Sequence, residues 1–299
     1  MAEYEGNIRN ALIKEQGVAL FQFINESISL TALVILAVMS RSLILMTGAV
    51  GAVSLLVQAW VVFSISKRLV KNESFDYDYG MGKFESFGGL IANLLMLIGL
   101  IAVLCSSAIA LFNPAGPSEI LVWAIIVKII GAIINVCLFI RQRKINKIAS
   151  SMLIDAEDHV IRKNLVFDFI ALFTITILYI FREIPVFAYL EPVLCILYSI
   201  FMIYKLVHPL KLCAYDLLDK TLDEAIQLKL MKAMAAGNDL YEFFDTIRTR
   251  SSGQRIYVDL LIGFNKDKTY EEITESLKKL EELIKSEIPN CVVSIVLSR

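Results

Sequence analysis

Histidine is almost missing from this chain: among 299 residues only His159 and His208 occur. A metal site built from several histidines is therefore excluded. Cysteine offers no substitute. Cys105, Cys137, Cys195, Cys213 and Cys291 lie far apart and form no CxxC pair. Neither a disulfide framework nor a zinc-finger spacing is present. Charge is thin as well: Asp, Glu, Lys and Arg make up 20% of the residues, against about 25% in a soluble domain. The net charge of −1 argues against a general nucleic-acid binder. No GxGxxG, Walker loop, GxSxG or HExxH occurs. No recognisable nucleophile–base pair stands out either, so the chain is read as a non-enzyme.

What the sequence has is grease. Hydrophobic residues make up 57% of it, and the mean hydropathy is +0.65. The distribution is uneven. Long apolar runs dominate up to about residue 208, and Lys and Glu crowd the rest. The pattern predicts a membrane domain over 1–208 and a soluble domain over 209–299. A helix needs about 20 largely apolar residues to cross a bilayer. Six segments qualify: 17–39, 43–66, 87–112, 119–140, 160–181 and 186–207. The first follows a charged stretch, carries Gln22, Asn25 and Glu26, and has no small-residue cleavage site nearby. It reads as a retained span, not a signal peptide.

Basic residues in short loops set the orientation. The loop after span 2 holds Lys67, Arg68, Lys71 and Lys83, and the loop after span 4 holds Arg141, Arg143, Lys144 and Lys147. The opposite loops hold only Arg41 and Arg182. Both termini are thus expected in the cytoplasm. A prokaryotic inner membrane fits this pattern, and an organelle would give the same one.

The tail reads as α-β-β-α-β, a ferredoxin-like α+β domain. A helix is expected over 219–235, with Leu222, Ile226, Leu230 and Met234 on one face. Strands are expected over 245–249, 255–264 and 291–297. Along 255–264, Ile256, Val258, Leu260 and Ile262 share one side. Thr269 with Glu272 has the capping-box spacing and opens a helix running to Glu287. A domain this small has a thin core and gains from dimerising.

Three stretches match a known pattern. The first is Tyr77-Asp78-Tyr79-Gly80-Met81-Gly82-Lys83-Phe84-Glu85-Ser86, leading into span 3. The second is Leu190-Glu191-Pro192, opening span 6. The third combines Leu217-Leu218-Asp219 with Ile247-Arg248-Thr249-Arg250-Ser251-Ser252-Gly253 in the tail. With six spans and an αββαβ tail, the chain resembles the cation diffusion facilitators, proton-coupled exporters of divalent metals. The resemblance covers nearly the whole chain. It implies a homodimer in a lipid bilayer, with a divalent cation as cargo in place of a cofactor, and a proton as coupling partner.

The family's ligands do not carry over. Its spans 2 and 5 each hold a His/Asp-x-x-x-Asp pair, and residues four apart share a helix face. Two such helices can close a tetrahedral zinc cage. Counting back from the span 3 loop, the resemblance places the span 2 pair on Gly51 and Leu55, whose side chains have no ligand atom. The span 5 pair falls on Asp158 and Arg162, or one residue later on His159 and Lys163. The loop histidines are replaced by Tyr77 and Met81, and the last strand lacks the metal-binding His and Asp.

Arg162 either anchors span 5 at the interface or projects into the old metal cavity as a built-in cation. Glu26, Lys128 and Asp168 lie inside spans, where ionisable groups cost about 2.5–3.5 kcal/mol each. They form either a structural pair or a relay. The expected substrate site is Asp155, Asp158, His159 and Arg162, supported by Glu26 and Asp168. One histidine and several carboxylates suit Mn²⁺ or Mg²⁺ better than Zn²⁺. Two other readings stay open: a carrier of a non-metal solute, and a transport-inactive scaffold or partner of another exporter.

Overall fold

A computed structural model describes residues 2–70, 81–112, 121–146, 169–181, 184–252, 255–265, 267–288 and 291–297. Contacts divide the chain into two compact units. One comprises 1–78 and 88–211, the other 79–87 and 212–299.

The first unit is helical. It holds α1 (Ala2–Ser40), α2 (Leu43–Val70), most of α3 (Gly82–Ala110), α4 (Leu121–Asn146) and α5 (Phe169–Ile180). A 3-10 turn at Pro185–Tyr189 leads into α6 (Leu190–Leu217). Four helical stretches are long and apolar enough to cross a membrane: Ala19–Ser40, Leu43–Ile65, Gly82–Ala110 and Leu190–Leu217. Against the six spans expected, four are thus clear among the described residues. Among the described residues, the apolar stretches of α4 and α5 are the shorter Val122–Ile134 and Phe169–Ile180.

One buried cluster draws on all six helices, through Leu33, Leu45, Val103, Ala124, Ile175 and Cys195. Large apolar side chains also point outward, Phe173 and Trp123 among them. That distribution suits a hydrocarbon solvent, since in water so much exposed apolar surface would associate.

The packing face of α2 is set by small partners on α3. A Cβ on Gly99 would lie 2.5 Å from Val50, and one on Gly88 would lie 2.3 Å from Val61. Val50 and Val61 are eleven residues apart, close to three full turns, so they share a face. Glycines there let the two helices approach.

Another link joins α2 to α6 across 149 residues of sequence. Ser42 donates from its hydroxyl to Glu191 Oε1 at 2.5 Å, and the Ile44 N–H donates to the same oxygen at 3.1 Å. Glu191 therefore caps α2 while sitting in the first turn of α6. A carboxylate suits both helix N-termini. Sequence alone placed it only at its own helix start.

The second unit contains α7 (Glu224–Ala236), α8 (Tyr270–Glu287) and the strands β1 (Phe243–Ser252), β2 (Arg255–Gly263) and β3 (Cys291–Leu297). The sheet order is β1-β2-β3, with β1 and β2 antiparallel and β2 and β3 parallel. The sheet is thus small and mixed. Val258, Leu260 and Ile262 alternate inward and are fully buried against Leu230 of α7 and Leu280 and Ile284 of α8.

Two boundaries differ from the sequence expectation. The first tail helix begins at Glu224, not Asp219. Asp219 takes a left-handed φ of 51° where α6 ends. Leu222 fits the helical period and is buried, but it precedes the helix, and its N–H donates to Thr249 Oγ1 at 3.4 Å. The first strand is longer than expected because β2 pairs along its whole length, with a bulge between Phe244 and Thr246.

The capping box of α8 is present. The Glu272 N–H donates to Thr269 Oγ1 at 3.4 Å, and the Thr269 N–H and hydroxyl donate to Glu272 Oε2 at 2.8 and 3.0 Å. Donation from the Thr269 backbone, then from its hydroxyl, holds the Glu272 carboxyl below its ordinary value. A lowered folded value means the contribution is complete above the unfolded carboxylate pKa of about 4.3. It is lost as pH falls through the folded value. Thr269→Ala is expected to cost about 1 kcal/mol at neutral pH, read as faster native-state proteolysis at α8. Glu272→Gln is expected to flatten the acid dependence of that cleavage.

Candidate cation site in the membrane helices

Of the expected substrate residues, Asp155, Asp158, His159, Arg162 and Asp168 lie outside the described residues. Glu26 lies within them. It sits on α1 and is only 6% exposed, in a buried stripe with Ala19, Leu33 and Ala37. These positions recur at seven- and four-residue steps, so Glu26 faces the helix bundle, not lipid.

Lys128 on α4 is 7% exposed. It stands between Ala124 and Ala132, four residues to either side and both buried. Neighbours Ile129, Ile130 and Ile133 point outward. Small residues on the inner face thus leave space for a long, charged side chain. Glu26 and Lys128 each have an interaction partner. Burial with partners is what an ionisable group inside a membrane helix requires.

The ammonium of Lys128 reaches α2. A Cβ on Gly48 would lie 3.6 Å from Lys128 Nζ and 3.7 Å from Leu33 Cδ1. Gly48 therefore faces α4 and α1, whereas Val50 faces α3. Gly51, Ala52 and Leu55 follow Gly48 at three, four and seven residues and share its face. A Cβ on Gly51 would meet nothing within 4 Å. Gly51 and Leu55, where the resemblance led the span 2 ligands to be expected, are half-buried and have no donor atom on their side chains. Among the described residues, no three His, Cys, Asp or Glu side chains group to hold a metal.

The motif before span 3 lands elsewhere than a free loop. Its residues from Gly82 onward form the first turn of α3. Within the second unit, Lys83 Nζ lies 2.7 Å from Asp219, whose other oxygen is 3.6 Å from Arg250 Nη1. Asp216 accepts from the Ser86 hydroxyl and, at 2.5 Å, from the Ser251 hydroxyl. A Cβ on Gly82 would come within 2.2 Å of the Ser252 carbonyl oxygen. Three segments distant in sequence thus meet: the start of α3, the end of α6 and the end of β1. Sequence reasoning flagged Lys83 and Asp219 but missed Asp216. Its one signal was a carboxylate in a helix's last turn, where the dipole disfavours it.

Residues 19–218 match the family model described as the cation efflux transmembrane domain. Residues 224–296 match the model for the cation efflux protein cytoplasmic domain, ZT_dimer. No curated protein matches the chain.

Proposed function

The chain belongs to the cation diffusion facilitator family, and from that premise we propose that it exports a divalent cation by alternating access through a substrate site unlike the family's usual one. It is an integral, multi-pass membrane protein of a family of cation transporters, not enzymes. The proposal adds six spans, cytoplasmic termini and a homodimer held by the tails. It assigns the cargo to Asp155, Asp158, His159 and Arg162, with Glu26 and Asp168 in support.

The observation that carries this reading is Glu26, a carboxylate buried on the bundle-facing side of a membrane helix. Such a group is expensive to insert and is kept where ions or protons pass. Oxygen-rich ligands favour harder divalent ions such as Mn²⁺.

Calorimetric titration of the full chain in detergent with Mn²⁺, Zn²⁺, Co²⁺ and Fe²⁺ tests the site. Saturable binding lost in Asp158→Ala is the expected result. Efflux of the same ions from proteoliposomes tests transport. An unmodified protein that moves none of them sinks the export reading.

A further inference from the structure

We propose that Cys195 and Glu191 of α6, with the hydroxyls of Thr47 and Ser107, form a site for a thiophilic divalent cation such as Zn²⁺ or Cd²⁺ near the start of α6. The site is separate from the cargo residues named above and stands on its own observations.

Geometry comes first. Glu191, Cys195 and Ser199 follow one another at four-residue steps, so they share a face of α6. Cys195 and Ser199 are buried, and Glu191 is half-buried. Two other helices bring oxygens to the thiol. Thr47 Oγ1 of α2 lies 4.0 Å from Cys195 Sγ. Ser107, in the last turn of α3, stands beside the same thiol, and the charge of Glu191 reaches it from one turn away. The carboxylate has an oxygen to spare. Ser42 and Ile44 both donate to Glu191 Oε1, and among the described residues Oε2 accepts nothing.

The hydroxyls point to a missing ligand. Ser40 and Thr47 donate to the carbonyl four residues back, at 2.6 and 2.8 Å. Ser107 and Ser199 make no such bond: each hydroxyl is buried without a hydrogen-bond partner. A buried polar group left in that state costs free energy. A cation at the Cys195 thiol would give the Ser107 oxygen a partner. If position 107 served packing alone, alanine would fill it at lower cost.

Chemistry selects the ion. A thiolate favours Zn²⁺ and similar ions over Mn²⁺ or Mg²⁺. Cys195 must lose its proton to ligate, and that proton passes to solvent. Thiolate and carboxylate then carry two negative charges, which a divalent ion neutralises. A monovalent ion would leave a net charge among apolar helices, where an unpaired charge is expensive. The spacing suits as well. Ligands of a tetrahedral zinc ion, at about 2.3 Å for sulfur and about 2.1 Å for oxygen, stand roughly 3.6 Å apart. Thr47 Oγ1 and Cys195 Sγ are close to that separation. The Thr47 proton is committed to the Leu43 carbonyl, which leaves the oxygen's lone pairs to ligate. With two charged ligands and neutral oxygens, the site is not a closed structural cage, so its ion exchanges.

The test uses the full-length protein in detergent, titrated with Cd²⁺ at fixed pH and read by the ultraviolet charge-transfer absorption of Cd²⁺–thiolate. That absorption needs a thiolate, so ions held by carboxylates alone do not contribute. The unmodified protein is expected to show saturable absorption that excess Zn²⁺ displaces. Cys195→Ser is expected to lose one equivalent of it, and Cys105→Ser, at an exposed thiol, none. Glu191→Gln keeps an acceptor for Ser42 and Ile44. It is expected to weaken Cd²⁺ at least about tenfold, since even outer-shell partners of metal ligands are worth about 10–100-fold. Gel filtration identifies variants that fold, and Cys195→Ala decides if Cys195→Ser does not.

A folded unmodified protein without saturable absorption overturns the site. Absorption that survives the loss of Cys195 overturns it too, because another thiol then holds the ion. Unchanged Cd²⁺ affinity in Glu191→Gln removes the carboxylate and with it the divalent site. None of these outcomes bears on export, which efflux from proteoliposomes reads separately.

Discussion

Glu26→Gln is expected to cut Mn²⁺ efflux by about 10–100-fold while leaving the protein folded. The substitution keeps the shape and one acceptor oxygen and removes only the charge. Hydrogen bonds to charged groups are worth about 1.5–3 kcal/mol, more than their neutral counterparts. Losing a charged interaction of that size at a bound cation corresponds to this range of rate or affinity, since about 1.4 kcal/mol is a factor of ten. Folding suffers less, because an uncharged side chain is cheaper to hold among apolar helices. Glu26 is 6% exposed, so indirect effects through solvent are small. Initial efflux rates from proteoliposomes, with Asp158→Ala beside them, provide the check. Rates within threefold of the unmodified protein would leave Glu26 a purely structural residue.

The second large effect is expected at Gly82→Ala. The added Cβ would lie 2.2 Å from the Ser252 carbonyl oxygen and 2.5 Å from its carbon. Both are backbone atoms and cannot rotate aside. The first turn of α3 must therefore shift, which pulls Lys83 from Asp219 and Ser86 from Asp216. Overpacking of this kind costs about 1–3 kcal/mol, occasionally more. By contrast, Lys83→Ala removes a pair whose partners are 41% and 42% exposed, and such pairs contribute about 0–1 kcal/mol. The expected result is rapid proteolysis at the β1–β2 hairpin in Gly82→Ala and near-normal resistance in Lys83→Ala. Equal resistance in all three proteins would mean that the contact yields without cost.

These sites differ in how far the sequence exposed them. The capping box at Thr269 and the alternation along β2 were legible because each is set by residues a few positions apart. The start of α7 was misplaced for the same local reason. Leu222 fits the helical period, yet it is buried by a strand contact through Thr249, which the period cannot register. Glu191 was recognised as a helix-start acid, but its hold on Ser42 and Ile44 depends on helix arrangement alone. Lys128 illustrates the middle case. Insertion cost forces it inward, so its burial was foreseeable. That it lies against Gly48 is a fact of packing, because the sequence does not say which helix the inner face of α4 meets. Gly82 was part of a quoted motif, but only the Ser252 carbonyl explains why no larger residue fits there.

β3 has a consequence for handling the protein. It lies at the edge of the sheet, and Val292, Val296 and Leu297 are exposed along it. The run from Cys291 to Leu297 has no charge, no proline and no glycine. An uncharged, β-branched segment of this length at an open edge is a template for intermolecular strand addition. A tail produced on its own therefore presents β3 for strand addition between copies, and fibrillar aggregation is expected before the domain unfolds.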